Sequence, residues 1–294
     1  FETGNKEKAL EKLLELLDAL EEADTSRRAA QIDKDGNVTL SSEIQAGKPA
    51  AEKSAEDGTG ESQPLYMSLN HVMEYYIFAY YFQPATEVRC TDIPYGEYYR
   101  TYGQLALSMQ KYNGAKKAYE RAIAWNPVDL DAYLGLAEVY KYQNQREKYL
   151  TVTKQAYRYC CTRATMARYY RNMAFYYLSG YEPETARACY QYSNVYYHTE
   201  NADSELKYIS EAIQQETPQT DIRAIQKLFD EKQIEPGPDS QTIGIVYKVG
   251  EILLKDGDYK LAKDCYSIVY DITQDAAAEK MLNELEAAIT GTEE

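Results

Sequence analysis

The sequence predicts an all-α fold, a solenoid of stacked helical hairpins, and three observations carry that reading. Residues 96–129, GEYYRTYGQLALSMQKYNGAKKAYERAIAWNPVD, have the spacing of two antiparallel helices. Gly103 and Ala115 offer points of close backbone approach, and Tyr99, Tyr102 and Tyr119 fill the seam. The first-helix pattern then returns 34 residues on, at Tyr133, and 37 residues after that, at Tyr170. Finally, residues 275–289 read as a closing helix whose Glu279, Lys280, Asn283, Glu284 and Glu286 supply the polar outer face a solenoid end requires.

Taken in order, residues 1–22 form a helix with Ala9, Leu10, Leu13, Leu14, Leu16, Leu17 and Leu20 on one broad apolar face. Residues 23–63 are a polar insert, poor in large apolar side chains and expected to be mostly flexible. Within it, Asp35-Gly36 flanked by Ile32, Val38 and Leu40 predicts a small hairpin over residues 31–40. A calcium loop in that register fails, because Gln31 and Ser42 would stand at ligand positions. Residues 64–95 hold an apolar helix, 65–82, expected to cover the first helix, and a loop bracketed by Pro84 and Pro94. The array occupies 96–289 and a tail 290–294. Its second unit carries Tyr133, Leu136, Ala137 and Tyr140, and its third Tyr170, Met173, Ala174 and Tyr177, then Ala186 and Tyr190. Two further helices, 204–215 and 220–233, lack the pattern, and Pro236-Gly237-Pro238 breaks the chain. The pattern resumes with Val246, Val249 and Gly250, a turn at Gly257-Asp258-Tyr259, and Ala262 and Tyr266.

Eight positions of the 96–129 window, Tyr99, Tyr102, Gly103, Ala115, Tyr119, Ala122, Asn126 and Pro127, resemble the tetratricopeptide repeat, with Ala106 departing from its second aromatic. That resemblance implies a right-handed solenoid whose first helices line a concave groove. It makes residues 1–22 similar to a second repeat helix whose partner lies upstream, and the start at Phe1 rather than Met reads as a fragment or processed form. The implied groove contacts are Arg100, Gln104, Leu134, Glu138, Lys141, Arg168, Arg171, Phe175 and Tyr247. A carboxylate clamp of the chaperone-tail class is not reproduced, since Gln104 and Gly135 stand where its asparagines are expected.

Composition bounds the function. A formal net charge of −15 argues against nucleic acid as the general partner. The 31 tyrosines suit either hairpin cores or a contact surface, with about two thirds expected inside. Five cysteines form no metal spacing and no C-x-x-C pair, and the adjacent Cys160-Cys161 argues for reduced thiols, hence a cytoplasmic or cytoplasm-facing location. No membrane-spanning run is present. Catalytic constellations are missing. His71 and His198 stand alone, no glycines surround a serine as a nucleophile elbow requires, and Ala46-Gly47-Lys48-Pro49 lacks the flanking residues of a phosphate loop. No enzyme activity and no cofactor are implied.

One local feature rises above this acidic background. Between Lys148 and Tyr181 there is no Asp or Glu, yet Lys148, Lys154, Arg158, Arg163, Arg168 and Arg171 all lie there. Arg168 and Arg171, three apart, share a helix face and suit a carboxylate or phosphate. The expected function is a non-catalytic scaffold binding a protein or peptide segment, acidic in character. The alternatives are a ligand-responsive regulatory domain and an assembly subunit of a membrane-anchored complex, and tyrosine-rich surfaces also admit self-association.

Overall fold

The computed structural model describes residues 5–24, 26, 28–35, 37–41 and 64–291. Thirteen helices and two two-stranded sheets are found among them. Residues 42–63, most of the expected flexible insert, lie outside the described residues, as does the tail from 292. The chain divides into two compact units, 1–152 and 153–294.

The first unit opens with α1, Lys6–Ala23, capped by the Asn5 side chain, which accepts from the Lys8 amide at 3.2 Å. The strands β1, Ala30–Ile32, and β2, Val38–Leu40, pair antiparallel as the hairpin read from residues 31–40. Asp33 closes the turn by accepting from the amides of Asp35 at 2.8 Å and Asn37 at 2.9 Å. β3, Leu65–Met67, pairs parallel with β4, Val88–Cys90, and between them runs α2, Val72–Phe82. The single helix expected over 65–82 is therefore shorter at its start. Its first residues find backbone partners in β4, and the Glu74 carboxylate starts the helix later by accepting from the Asn70 amide at 2.7 Å.

The repeat hairpin follows as α3, Tyr95–Ser108, and α4, Tyr112–Trp125, then α5, Leu130–Tyr142, and α6, Arg146–Tyr157, which carries the chain across the unit boundary. α1 packs on α3, so the repeat's own first helix covers it, a correction to the role expected for 65–82. The polar contacts explain the choice. Tyr95 Oη donates to Asp24 at 2.8 Å, and Glu21 accepts from Tyr99 Oη at 2.5 Å and from Trp125 Nε1 at 2.9 Å.

Tyr119 fixes the spacing of these helices. Its buried ring lies so close to Gly103 of α3 that a Cβ there would stand 2.9 Å from it, and a Cβ on Gly135 of α5 would intrude further still. The ring is thus held from two sides, with no room to yield to either.

The second unit holds α7, Arg163–Ser179, paired with α8, Pro183–Tyr196; α9, Glu200–Ile213, and α10, Ile222–Lys232, which pack on α8; and α11, Ser240–Lys255, paired with α12, Tyr259–Thr273. α13, Ala276–Gly291, packs on α12 as the closing helix. Gly250 and Tyr266 repeat the glycine–tyrosine contact, a Cβ at Gly250 meeting the ring at 3.1 Å. Tyrosine hydroxyls also order the proline-rich break: Tyr170 donates to the Glu235 carbonyl at 2.8 Å, Tyr192 to that of Pro236 and Tyr157 to that of Gly237 at 2.9 Å.

Fourteen of the 31 tyrosines are buried, fewer than the two thirds expected. Several others are half-buried because the hydroxyl must reach a partner, as Tyr157 does, while Tyr181 is almost fully exposed. Cys160, Cys189 and Cys265 are buried as small apolar residues, Cys161 is half-buried and Cys90 is exposed.

Two measurements check this account. Gly→Ala inside a helix ordinarily stabilises by about 1 kcal/mol, but Gly135→Ala is expected to lower the melting temperature, with an overpacking cost of about 1–3 kcal/mol. A melt at or above the wild type would refute the socket. The second concerns alkali. Burial, as the leading cause, pushes Tyr140, Tyr196 and Tyr266 up to about 12 from the ordinary 10.0. Above pH 10 the unfolded chain loses these protons before the native one does, so their stabilisation, complete below that pH, declines as pH rises through about 12. Phenolate absorbance should therefore rise together with the loss of helical signal, and early ionisation of these tyrosines in the intact fold would contradict it.

Candidate peptide-binding surface

The expected contacts in the first unit are mostly committed to the fold. Arg100 donates to Asp129 at 2.7 Å, and burial pushes the Asp129 carboxyl up while the Arg100 charge opposes it. Asp129 also caps α5, accepting from the Ala132 amide at 3.1 Å. The arginine therefore ties α3 to the turn before α5 and its guanidinium is engaged there. Leu134 is 2% exposed and belongs to the core, which corrects its expected place on a contact surface. Gln104 is exposed, and Glu138 and Lys141 are half-buried and 3.9 Å apart.

In the second unit α7 presents a different picture. It starts at Thr162, whose Oγ1 accepts from the Thr165 amide at 3.2 Å, while Thr165 Oγ1 accepts from the Thr162 amide at 3.0 Å. Arg163, in the first turn, donates to the Val195 carbonyl at 2.8 Å. Arg168 and Arg171, one and two turns on, form no ion pair among the described residues. The Nη1 of Arg171 is buried with no hydrogen-bond partner there. Burial, then the like charge of Arg168, pushes its pKa down from the ordinary value. The neighbouring Asn172 is buried, and its Nδ2 is likewise unsatisfied.

Phe175 lies half-buried one turn beyond Arg171, so Arg168, Arg171 and Phe175 follow one helix face. That face thus carries two cations that repel each other, one with a buried nitrogen left without a partner, and an aromatic ring one turn on. Tyr247 sits in the other hairpin, on α11, half-buried and edge-on to Tyr266 at 5.2 Å.

The rest of the basic stretch is otherwise occupied or exposed. Lys148 lies over the Tyr140 ring at 5.8 Å, and Lys154 and Arg158 are exposed. Sequence reasoning did not find a cavity of about 480 Å³ in the first unit, between β1 and α4. Its sequence signals were basic residues, Arg28, Lys34 and the pair Lys116-Lys117, far apart in the chain and brought together by the hairpin's docking. Among the described residues no group of His, Cys, Asp and Glu is arranged to hold a metal, and no helix is long and apolar enough to cross a membrane.

Residues 96–129 match the tetratricopeptide repeat family. No curated protein sequence matches the chain. Among solved structures, the chain is similar to the APC/C hetero-tetramer Cut9–Hcn1, at 14% identity and a TM-score of 0.38 over 67% of this chain and 38% of that one. The chain thus spans well under half the length of that relative. It is also similar to pilF of Pseudomonas aeruginosa, at 15% identity and a TM-score of 0.37 over 68% of this chain and 86% of that one. A third likeness is to YrrB, a TPR protein with an unusual peptide-binding site, at 14% identity and a TM-score of 0.34 over 64% and 91%. The matched unit coincides with the α3–α4 hairpin, so the chain contains a tetratricopeptide repeat there, and the first-helix pattern of that repeat returns in later hairpins.

Proposed function

We propose that this protein is a non-catalytic scaffold that holds an acidic peptide or protein segment against α7. Arg168 and Arg171 grip a carboxylate of that segment, and Phe175 supplies apolar contact beside it. The observation that carries this reading is the uncompensated arginine pair, with one guanidinium nitrogen buried and unsatisfied. In a chain of formal net charge −15 an arginine readily finds a carboxylate, as Arg100 and Arg121 do, so a pair left without one is suited to a carboxylate from outside. The overall acidity disfavours nucleic acid as the partner. Five free thiols fit a reducing, cytoplasm-facing setting.

Titration of labelled acidic peptides by fluorescence anisotropy tests the pair directly. Arg168→Glu/Arg171→Glu is expected to weaken binding by about tenfold or more, and equal binding by variant and wild type would remove the proposal. A stability measurement gives an independent check. Arg171→Met removes a half-buried charge that has no counter-ion, so it should raise the melting temperature, by the equivalent of about 1 kcal/mol, while weakening peptide capture. A lowered melting temperature would mean that Arg171 serves the fold instead.

A further inference from the structure

The strand β1 rests on α4, and the residues at that contact are small. Ala30 is fully buried and Ala124 nearly so, which brings the hairpin close to the helix and leaves longer side chains to stand around the contact as walls. The cavity of about 480 Å³ between them lies within the usual size of a small-molecule site, roughly 300–1,000 Å³. Its walls carry Arg28, Lys34, Lys116, Lys117 and Arg121 against two acids, Asp33 and Glu120.

The arrangement of partners sorts these charges. Arg28 is held by Glu21 at 3.1 Å, and Arg121 by Asp18 and, at 3.7 Å, Glu21. Those carboxylates do not line the cavity, so both guanidinium groups are oriented from behind. Lys116 pairs with Glu120 at 2.9 Å, and Asp33 is taken up by the hairpin turn, accepting from the Asn37 side chain at 3.0 Å as well as from two amides. Lys34 and Lys117 are exposed and have no ion pair or hydrogen bond among the described residues. Both wall carboxylates are thus engaged while two ammonium groups, one on the hairpin and one on the helix, remain available.

We propose that this cavity binds a small, multiply charged anion of the phosphate class, with Lys34 and Lys117 closing on it from opposite walls and Arg28 and Arg121 as oriented donors. Five cations against two wall acids leave the described lining net positive, which favours more than one negative charge on the ligand. Among the described residues the lining has no aromatic ring on which a base would stack, so pyrophosphate or a sugar phosphate fits the chemistry better than a nucleotide.

The probe is inorganic pyrophosphate, titrated calorimetrically into the full chain at low ionic strength, with sulfate at matched ionic strength as control. Saturable binding to one site is expected, weakened by about tenfold or more in Lys34→Ala/Lys117→Ala and unchanged in Arg168→Glu/Arg171→Glu. Absence of saturable binding at millimolar pyrophosphate, equal binding by sulfate, or wild-type affinity in the lysine variant would overturn the proposal. So would loss of binding in the arginine variant alone, which would assign the anion to α7. Should circular dichroism show the double lysine variant unfolded, Lys117→Gln alone, at an exposed position, is judged by the same outcomes. ADP binding much more tightly than pyrophosphate would overturn the exclusion of a base.

Discussion

The first hairpins depend on one ring. Tyr119 projects from α4 into sockets at Gly103 on α3 and Gly135 on α5, and any side chain at either glycine meets the ring. Glycine inside a helix costs about 1 kcal/mol relative to alanine, so two such positions persist only because burial of a large aromatic side chain offsets them. One tyrosine therefore sets the spacing of three helices. The α11–α12 hairpin uses the same device with Gly250 and Tyr266, whereas in the α7–α8 hairpin Ala174 stands in the corresponding place. The α7–α8 hairpin thus keeps a small residue at that position without keeping the glycine.

Tyrosine rather than phenylalanine fills these sites because the hydroxyl end carries a second function. In the first unit Tyr95 and Tyr99 reach Asp24 and Glu21 at the end of α1, fastening that helix by directed bonds in addition to its leucines. In the second, Tyr170, Tyr192 and Tyr157 donate to three successive carbonyls, 235 to 237. A segment containing Pro236 and Pro238 lacks two backbone donors and cannot satisfy its carbonyls through regular structure, so side-chain donors take that place. The rings below those hydroxyls pack on one another and on Phe229, with Tyr170 stacked on it at 5.6 Å. Each tyrosine joins a core contact to a backbone anchor.

The helical array was legible because its signals are local and repeated. Tyr99 returns as Tyr133 and Tyr170, after 34 and then 37 residues, with a small residue four positions on each time, Gly103, Ala137 and Ala174, and the pattern survives loss of individual positions, as at Ala106. The strand Leu65–Met67 was not legible, because an apolar run of that composition suits a buried helix equally well and its partner, Val88–Cys90, lies 23 residues on. The partner of α1 was hidden for a related reason. Its Leu-rich face suggests any apolar neighbour, whereas the choice of α3 follows from Glu21 and Asp24, two acids among many in a chain that has 47. Leu134 shows the limit at single positions: spacing places it beside the first-helix face, but α5 is buried on nearly every side from Ala132 to Ala137.

Charge pairing sets the character of the two candidate surfaces. An acidic chain has carboxylates in excess, so its cations are easily neutralised, and the described ion pairs show most of them on the surface, where each contributes little to stability. A cation left unpaired therefore reflects local geometry more than supply. On α7 the surrounding stretch contains no acid, and the second arginine is half-buried, so its charge is both unscreened and unmatched. At the β1–α4 cavity acids are present but engaged, Asp33 by the turn that makes the hairpin and Glu120 by its neighbour on the helix. The first surface leaves a buried donor unsatisfied, a cost that a bound carboxylate would relieve. The second leaves only exposed ammonium groups, which water already solvates, so its ligand must supply enough charge to displace that water.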